Sequence, residues 1–186
     1  MLRTFIAIEL QPNIREYLGV LQNETQKLCR RGTYVSTDNF HITLHFLGEI
    51  SDGDIEYLKE AIFEAAQRSY TFELQLKDIG FFPRGNKGVL WAGIEKSAAL
   101  QRLFLSLEKS LERQGFHREK KGLNPHITLG REVEPQRGFK DVQKAVPVER
   151  MTFTVEKISL MQSVRMGAKL VYKPLYRQLL RESKKQ

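Results

Sequence analysis

The tetrapeptide His-Ile-Thr-Leu occurs twice, at His41 to Leu44 and at His126 to Leu129, 85 residues apart in a chain of 186. Each copy lies in an apolar, β-branched run bounded by a glycine, Gly48 after the first and Gly130 after the second, which reads as a buried strand. Strand side chains alternate between faces, so His41 and Thr43 point the same way, as do His126 and Thr128. Any fold for this chain must therefore set an imidazole beside a hydroxyl on two buried strands, which suggests a symmetric site.

The flanking sequence repeats the same plan. The first half predicts a strand over 4–10, a helix from Pro12 to about Cys29, a loop, the first histidine strand, and a helix opened by Ser51-Asp52-Gly53-Asp54. The second half predicts a strand over 89–95, a helix over 97–114 and, after a basic loop, the second histidine strand. Glu9 lies 32 residues before His41 and Glu95 lies 31 before His126, so the two acids occupy matching places. Leu100, Leu103, Leu107 and Leu111 recur at helical spacing and mark a buried stripe, with Ser97 as N-cap and Gly115 as stop.

Each half then closes with a long strand, over 71–82 and 151–163, followed by a turn rich in glycine and basic residues. A last strand is predicted from Leu170 to about Leu175. The pattern predicts an α+β fold of two pseudo-symmetric lobes, each a largely antiparallel sheet with helices on its outer face, around a central cleft. The whole chain is expected to be one bilobal domain, with half-repeats of about 1–85 and 86–176 and a polar tail over 177–186.

Lysine and arginine number 30 against 22 acidic residues, a formal charge of +8 with a pI near 9.6. Such an excess favours polyanionic partners, nucleic acid before membrane. No apolar run approaches the ~18 residues of a membrane span, and charge interrupts the first nine residues too early for a secretory signal, so a soluble cytoplasmic protein is expected. No heptad pattern points to an obligate protein partner, and a monomer is expected. Cys29 is the only cysteine, which excludes an intramolecular disulfide and a cysteine-rich zinc site; it reads as a small apolar filler on a helix.

Two histidines facing each other across a cleft can divide acid and base work, since an unperturbed imidazole with a pKa of ~6.5 populates both states near neutrality. Each threonine hydroxyl can donate a hydrogen bond to an anionic oxygen, and Arg131 adds a fixed positive charge three residues after Thr128, so the set suits phosphate. His45 shares the face of His41 by alternation. Its i, i+4 spacing from His41 would join a metal pair on a helix but diverges on a strand, so it reads as a rim residue and no metal or other cofactor is expected. His117, in the run His117-Arg118-Glu119-Lys120-Lys121, is either part of a solvated loop or an RNA contact.

With both His-x-Thr-x motifs in view, the sequence resembles the 2H phosphoesterase superfamily, and most closely the RNA 2′,3′-cyclic phosphodiesterases once called 2′-5′ RNA ligases. The likeness spans almost the whole chain. It includes Arg3-Thr4-Phe5-Ile6-Ala7-Ile8, Asn39-Phe40-His41-Ile42-Thr43-Leu44, Phe46-Leu47-Gly48-Glu49, Val89-Leu90-Trp91-Ala92-Gly93, Pro125-His126-Ile127-Thr128-Leu129-Gly130-Arg131, Gln162-Ser163, Gly167 and Tyr172. Tyr34 stands where many relatives carry tryptophan, and Gly88 where a basic residue often precedes the Val-Leu-Trp strand.

The resemblance implies metal-free opening of a terminal RNA 2′,3′-cyclic phosphate, or of a cyclic nucleotide, to a 2′-phosphomonoester. It makes His41 the proton donor to O3′ and His126 the proton acceptor that activates water, with Thr43, Thr128 and Arg131 holding the phosphate. It also implies the related 2′-5′ RNA ligation. The near-symmetry of the halves leaves the acid and base roles interchangeable without it. A rival reading is a non-catalytic RNA or nucleotide-binding module whose histidines only donate hydrogen bonds.

Overall fold

The computed structural model of the protein describes residues 1–119 and 122–182. In chain order the elements are β1 (Leu2–Glu9), α1 (Pro12–Lys27), β2 (Cys29–Tyr34), β3 (His41–Ile50), α2 (Asp54–Gln67), β4 (Phe72–Arg84), β5 (Lys87–Ile94), α3 (Ala98–Arg113), β6 (His126–Pro135), α4 (Phe139–Ala145), β7 (Thr152–Val155), β8 (Lys157–Met166) and β9 (Lys169–Leu179). A single 3-10 turn, Thr37–Asn39, precedes β3. The strands form two sheets, in the orders β3-β1-β8-β9 and β2-β6-β5-β4-β7, and every strand pair is antiparallel. The α+β expectation with two sheets is met.

The sheets are not the two sequence halves. The β4–β5 hairpin carries the proposed boundary at its tip: Arg84 faces Lys87, and Gly85 takes the positive φ of 65° at the first loop position, which admits glycine without steric cost. A tight hairpin obliges β4 to lie beside β5, so the closing strand of the first half joins the second sheet. Likewise β8, from the second half, lies beside β1 in the first sheet. Its own hairpin to β9 turns at Gly167, with φ of 61°. The halves are thus interlocked by exchange of their last strands.

The helices cross over in the same way. Although α1 follows a strand of the first sheet, it packs against β2 and β6 of the second; α3 follows β5 but packs on α2, which lies against β8 and β9. Gln22 fixes the first of these crossings. Its side-chain amide is buried and donates to the Val35 and Leu129 carbonyls at 2.8 and 2.7 Å, tying α1 to the strand that carries His126. For α3 the leucine stripe is as predicted: Leu100, Leu103, Leu107 and Leu111 are all buried, the Ser97 hydroxyl accepts the Leu100 N–H, and Gly115 stops the helix with φ of 87°.

Three local expectations are corrected. Cys29 is not on a helix: α1 ends at Lys27, and Cys29 opens the edge strand β2, half-buried. The last strand runs to Leu179, not Leu175, because β8 offers pairing as far as Lys157. The tail expected from residue 177 is therefore ordered structure at its start. Leu180 is buried, and the Arg181 backbone bonds to Ser69 and Thr71 on both sides of Tyr70, whose ring the guanidinium covers. Residues 183–186 of that tail lie outside the described residues, as do Lys120 and Lys121 of the basic loop. No helix among the described residues is long and apolar enough to cross a membrane.

Gly80 on β4 supplies the close approach that seats the indole of Trp91. A Cβ there would lie 2.0 Å from Trp91 Cζ2. Gly80→Ala is expected to destabilise the fold by about 1–3 kcal/mol through overpacking. Trp91 is the sole tryptophan, so its emission reports the displacement directly, alongside a lowered urea midpoint.

Candidate active site

His41 and His126 are the first residues of β3 and β6, and the two strands approach each other across the sheets. From each histidine the chain alternates half-buried and buried side chains through the next three residues, so His and Thr share one face while Ile42, Leu44, Ile127 and Leu129 enter the core. Both strands then bulge at the same offset. Ala7 faces Thr43 but Ile6 faces His45, leaving Leu44 unmatched; Trp91 faces Thr128 but Leu90 faces Gly130, leaving Leu129 unmatched. The duplicated motif is thus a duplicated backbone geometry.

The bulge overturns the reading of His45 as a rim residue. Alternation fails at Leu44, and His45 turns into the interior, 6% exposed, where its Nδ1 lies 2.5 Å from Glu108 Oε1 on α3. The other Glu108 oxygen accepts the Glu119 N–H at 2.6 Å. His45 belongs to this buried network behind the site. Its counterpart in the second strand is Gly130, where a Cβ would lie 2.8 Å from Val133 Cγ2 and 3.2 Å from the Tyr34 ring. His117 is exposed and borders a surface hollow with Phe46 and Arg118, on the His45 side. Among the described residues no group of three or more His, Cys, Asp or Glu side chains is arranged to hold a metal ion.

The ring nitrogens of the two catalytic candidates are oriented alike. His41 Nδ1 lies 2.7 Å from the Asn39 carbonyl oxygen and His126 Nδ1 lies 2.8 Å from the Asn124 carbonyl oxygen. A carbonyl can only accept, so each Nδ1 carries a hydrogen and each neutral ring keeps its lone pair on Nε2. The Thr43 hydroxyl lies 3.0 Å from His41 Nε2. The upstream asparagines extend the repeat to Asn-x-His-Ile-Thr-Leu, so the tether too is duplicated in the sequence. Each ring is also walled by aromatics: Phe5 at 4.8 Å and Tyr172 at 5.2 Å between centroids for His41, Phe82 at 5.3 Å and Trp91 at 6.1 Å for His126.

The environments differ beyond that point. Burial, opposed by the hydrogen bond to Asn39, and then the nearby His126 and Arg131 charges, push His41 down to about 4. Arg131, exposed on β6, therefore acts electrostatically on the histidine of the other sheet. The match of Glu9 with Glu95 does not survive: Glu9 faces His41, whereas Gly93 faces His126 and Glu95 pairs with Lys77. Two hydrogen bonds from Arg177 and one from Ser159 hold the Glu9 carboxyl below its ordinary value. Glu9 and Arg177 line a cavity of about 400 Å³ bordered by His41, with Arg15, Lys157 and Tyr172 on its walls.

The low His41 value has a consequence for stability. Unfolding returns the imidazole to ~6.5, so between that value and about 4 the unfolded chain binds the extra proton. The contribution is fully present above pH ~6.5 and is lost as pH falls toward 4, by about 1.4 kcal/mol per pH unit. In urea titrations of wild type and His41→Gln, the wild type is expected to lose stability more steeply over that window, with parallel curves above it.

Comparisons with known proteins agree with this geometry. Residues 21–166 match the 2'-5' RNA ligase superfamily. The RNA 2',3'-cyclic phosphodiesterase of Aeropyrum pernix is 34% identical over 148 residues, covering 76% of this chain and 82% of that protein. That of Thermotoga maritima is 29% identical over 179 residues, 94% of each. The crystal structure of Escherichia coli LigT complexed with 3'-AMP superposes with a TM-score of 0.79 at 28% identity, covering 96% of this chain and 98% of the other. With the duplicated strand geometry and the matched sequence in agreement, the chain belongs to the 2'-5' RNA ligase superfamily.

Proposed function

We propose that the protein hydrolyses the 2′,3′-cyclic phosphate at an RNA end, or in a cyclic nucleotide, to a 2′-phosphomonoester by acid and base catalysis between His41 and His126. The observation that carries the reading is the paired Nδ1 tether, which leaves two Nε2 atoms available on facing strands, that of His41 3.0 Å from the Thr43 hydroxyl. A module that only bound phosphate would have no need of two lone pairs held this way. The names of the relatives and the +8 charge of the chain support the same substrate class.

In the proposed step water gives a proton to His126 Nε2 as its oxygen bonds to phosphorus. The P–O3′ bond breaks in line, and O3′ takes a proton from His41 Nε2, leaving a 3′-hydroxyl and a 2′-phosphate. Thr43, Thr128 and Arg131 hold the non-bridging oxygens as charge builds on them. A 5′-hydroxyl in place of water would form a 2′–5′ linkage with the same groups. For RNA ending in a cyclic phosphate, in the presence of EDTA, the product is expected to be a 2′-phosphate. His41→Ala and His126→Ala are each expected to abolish turnover while changing RNA affinity only a few fold. Full turnover by either variant would refute the roles.

The burial of His41 bears on its role as acid, because the free protein holds it neutral at pH 7. The reaction needs one proton across the two imidazoles, and an anionic phosphate bound between them draws that proton toward His41. The acid limb of kcat/KM, which reports the free protein, is expected near pH 4, and the acid limb of kcat at higher pH. Coincident limbs in a pH–rate series would refute recruitment of the proton by the substrate.

A further inference from the structure

His41 owes its burial to a strand that is not its neighbour. In the first sheet β3 and β9 are the outer strands, with β1 and β8 between them. Yet Tyr172 of β9 packs edge-on against the His41 ring, at 85° between planes, and against Phe5 at 4.9 Å between centroids. The sheet must curl until its two edges meet, and one residue joins them there. Asn39, 8% exposed, donates from Nδ2 to the Leu170 carbonyl at 2.6 Å and accepts the Tyr172 N–H on Oδ1 at 3.2 Å. Its own carbonyl oxygen takes the His41 Nδ1 hydrogen.

We infer that Asn39 is a positioning residue for the reaction: its main chain fixes the tautomer of His41, and its side chain clasps β9 so that Tyr172 closes over the ring. An amide suits the task because it alone among neutral side chains of this length both donates and accepts in one plane, matching a strand's C=O and next outward N–H. Alanine loses both bonds. Aspartate keeps the acceptor for Tyr172 but sets an oxygen against the Leu170 carbonyl. The closure also separates His41 from solvent on that side, which makes the ring respond to whatever charge enters the cleft. The charged groups around it are His126 and Arg131 from β6, Glu9 from β1, Arg15 from α1 with its partner Asp38, Glu156 between β7 and β8, Lys157 from β8 and Arg177 from β9. Because Glu9 is engaged by Arg177, the aromatic cover is what Asn39 controls.

The inference rests on the proposed phosphodiesterase reading only for its kinetic half. The test is an NMR titration of His41 in the free full-length protein, for wild type, Asn39→Ala, Asn39→Asp, Tyr172→Leu and Tyr172→Phe, together with kcat and KM on RNA ending in a 2′,3′-cyclic phosphate. Asn39→Ala, Asn39→Asp and Tyr172→Leu are expected to raise the His41 midpoint from about 4 toward the ordinary ~6.5, whereas Tyr172→Phe keeps it low. In the first three kcat is expected to fall on the order of tenfold or more, with KM nearly unchanged. An unmoved midpoint in folded Asn39→Ala or Tyr172→Leu overturns the inference even if rate is lost, since the clasp would then not set the environment of His41. Should Asn39→Ala fail to fold, Tyr172→Leu, at a half-buried position of β9, decides it. A wild type without turnover would count against the phosphodiesterase reading, and the midpoints would still decide the clasp.

Discussion

A neutral imidazole offers its Nε2 lone pair to a cleft only in the tautomer that keeps the hydrogen on Nδ1, and both histidines donate that Nδ1–H to the carbonyl two residues upstream. That short-range bond fixes ring rotation and tautomer together, and everything else in the site is arranged around it. It works only where the chain enters a strand, because the i−2 carbonyl must turn back toward the side chain. This explains why His41 and His126 are each the first residue of their strands. The isoleucine and leucine that follow fasten the strand to the core, and the bulge after Thr43 and Thr128 ends the shared face once the hydroxyl has been placed.

Strand exchange sets the two histidines opposite each other. Had each half formed its own sheet, the lobes would have been joined by a linker and free to move apart, with no fixed distance between the rings. Instead β4 and β8 change partners, α1 and α3 cross to the opposite sheet, and Gln22 bonds α1 to the Leu129 carbonyl in the middle of the second motif. Pulling the two sequence halves apart would break both sheets. The crossing helix and the exchanged strands hold the two sheets, and with them the two motifs, against each other.

The repeat was legible in the sequence because it combined an unusual tetrapeptide with strand periodicity and even spacing, and so were the leucine stripe of α3 and its Ser97 cap. Partner exchange was not legible, since a hairpin signal such as Gly85-Asn86 says that two strands pair but not which half owns them. His45 was misread because strict alternation was carried past Leu44, and a bulge leaves no mark in a run of apolar residues. Glu9 and Glu95 were matched by counting, while registers in the two sheets differ near them. Tyr172 and Arg177 lie more than 130 residues from His41 and Glu9 respectively, so no local pattern could have joined them.

The symmetry of the fold ends where chemistry would require it to. Both rings share the tether and aromatic walls, but Tyr172 arrives from the far edge of a curled sheet, while Phe82 and Trp91 come from β4 and β5 within the sheet that holds His126. Burial under that cover accordingly disfavours the charged form of His41. In the proposed reaction a phosphate anion beside this ring and a proton on it would favour each other by the same free energy. Two identical motifs are thereby given different surroundings, and the difference is a matter of burial, not of the motif itself.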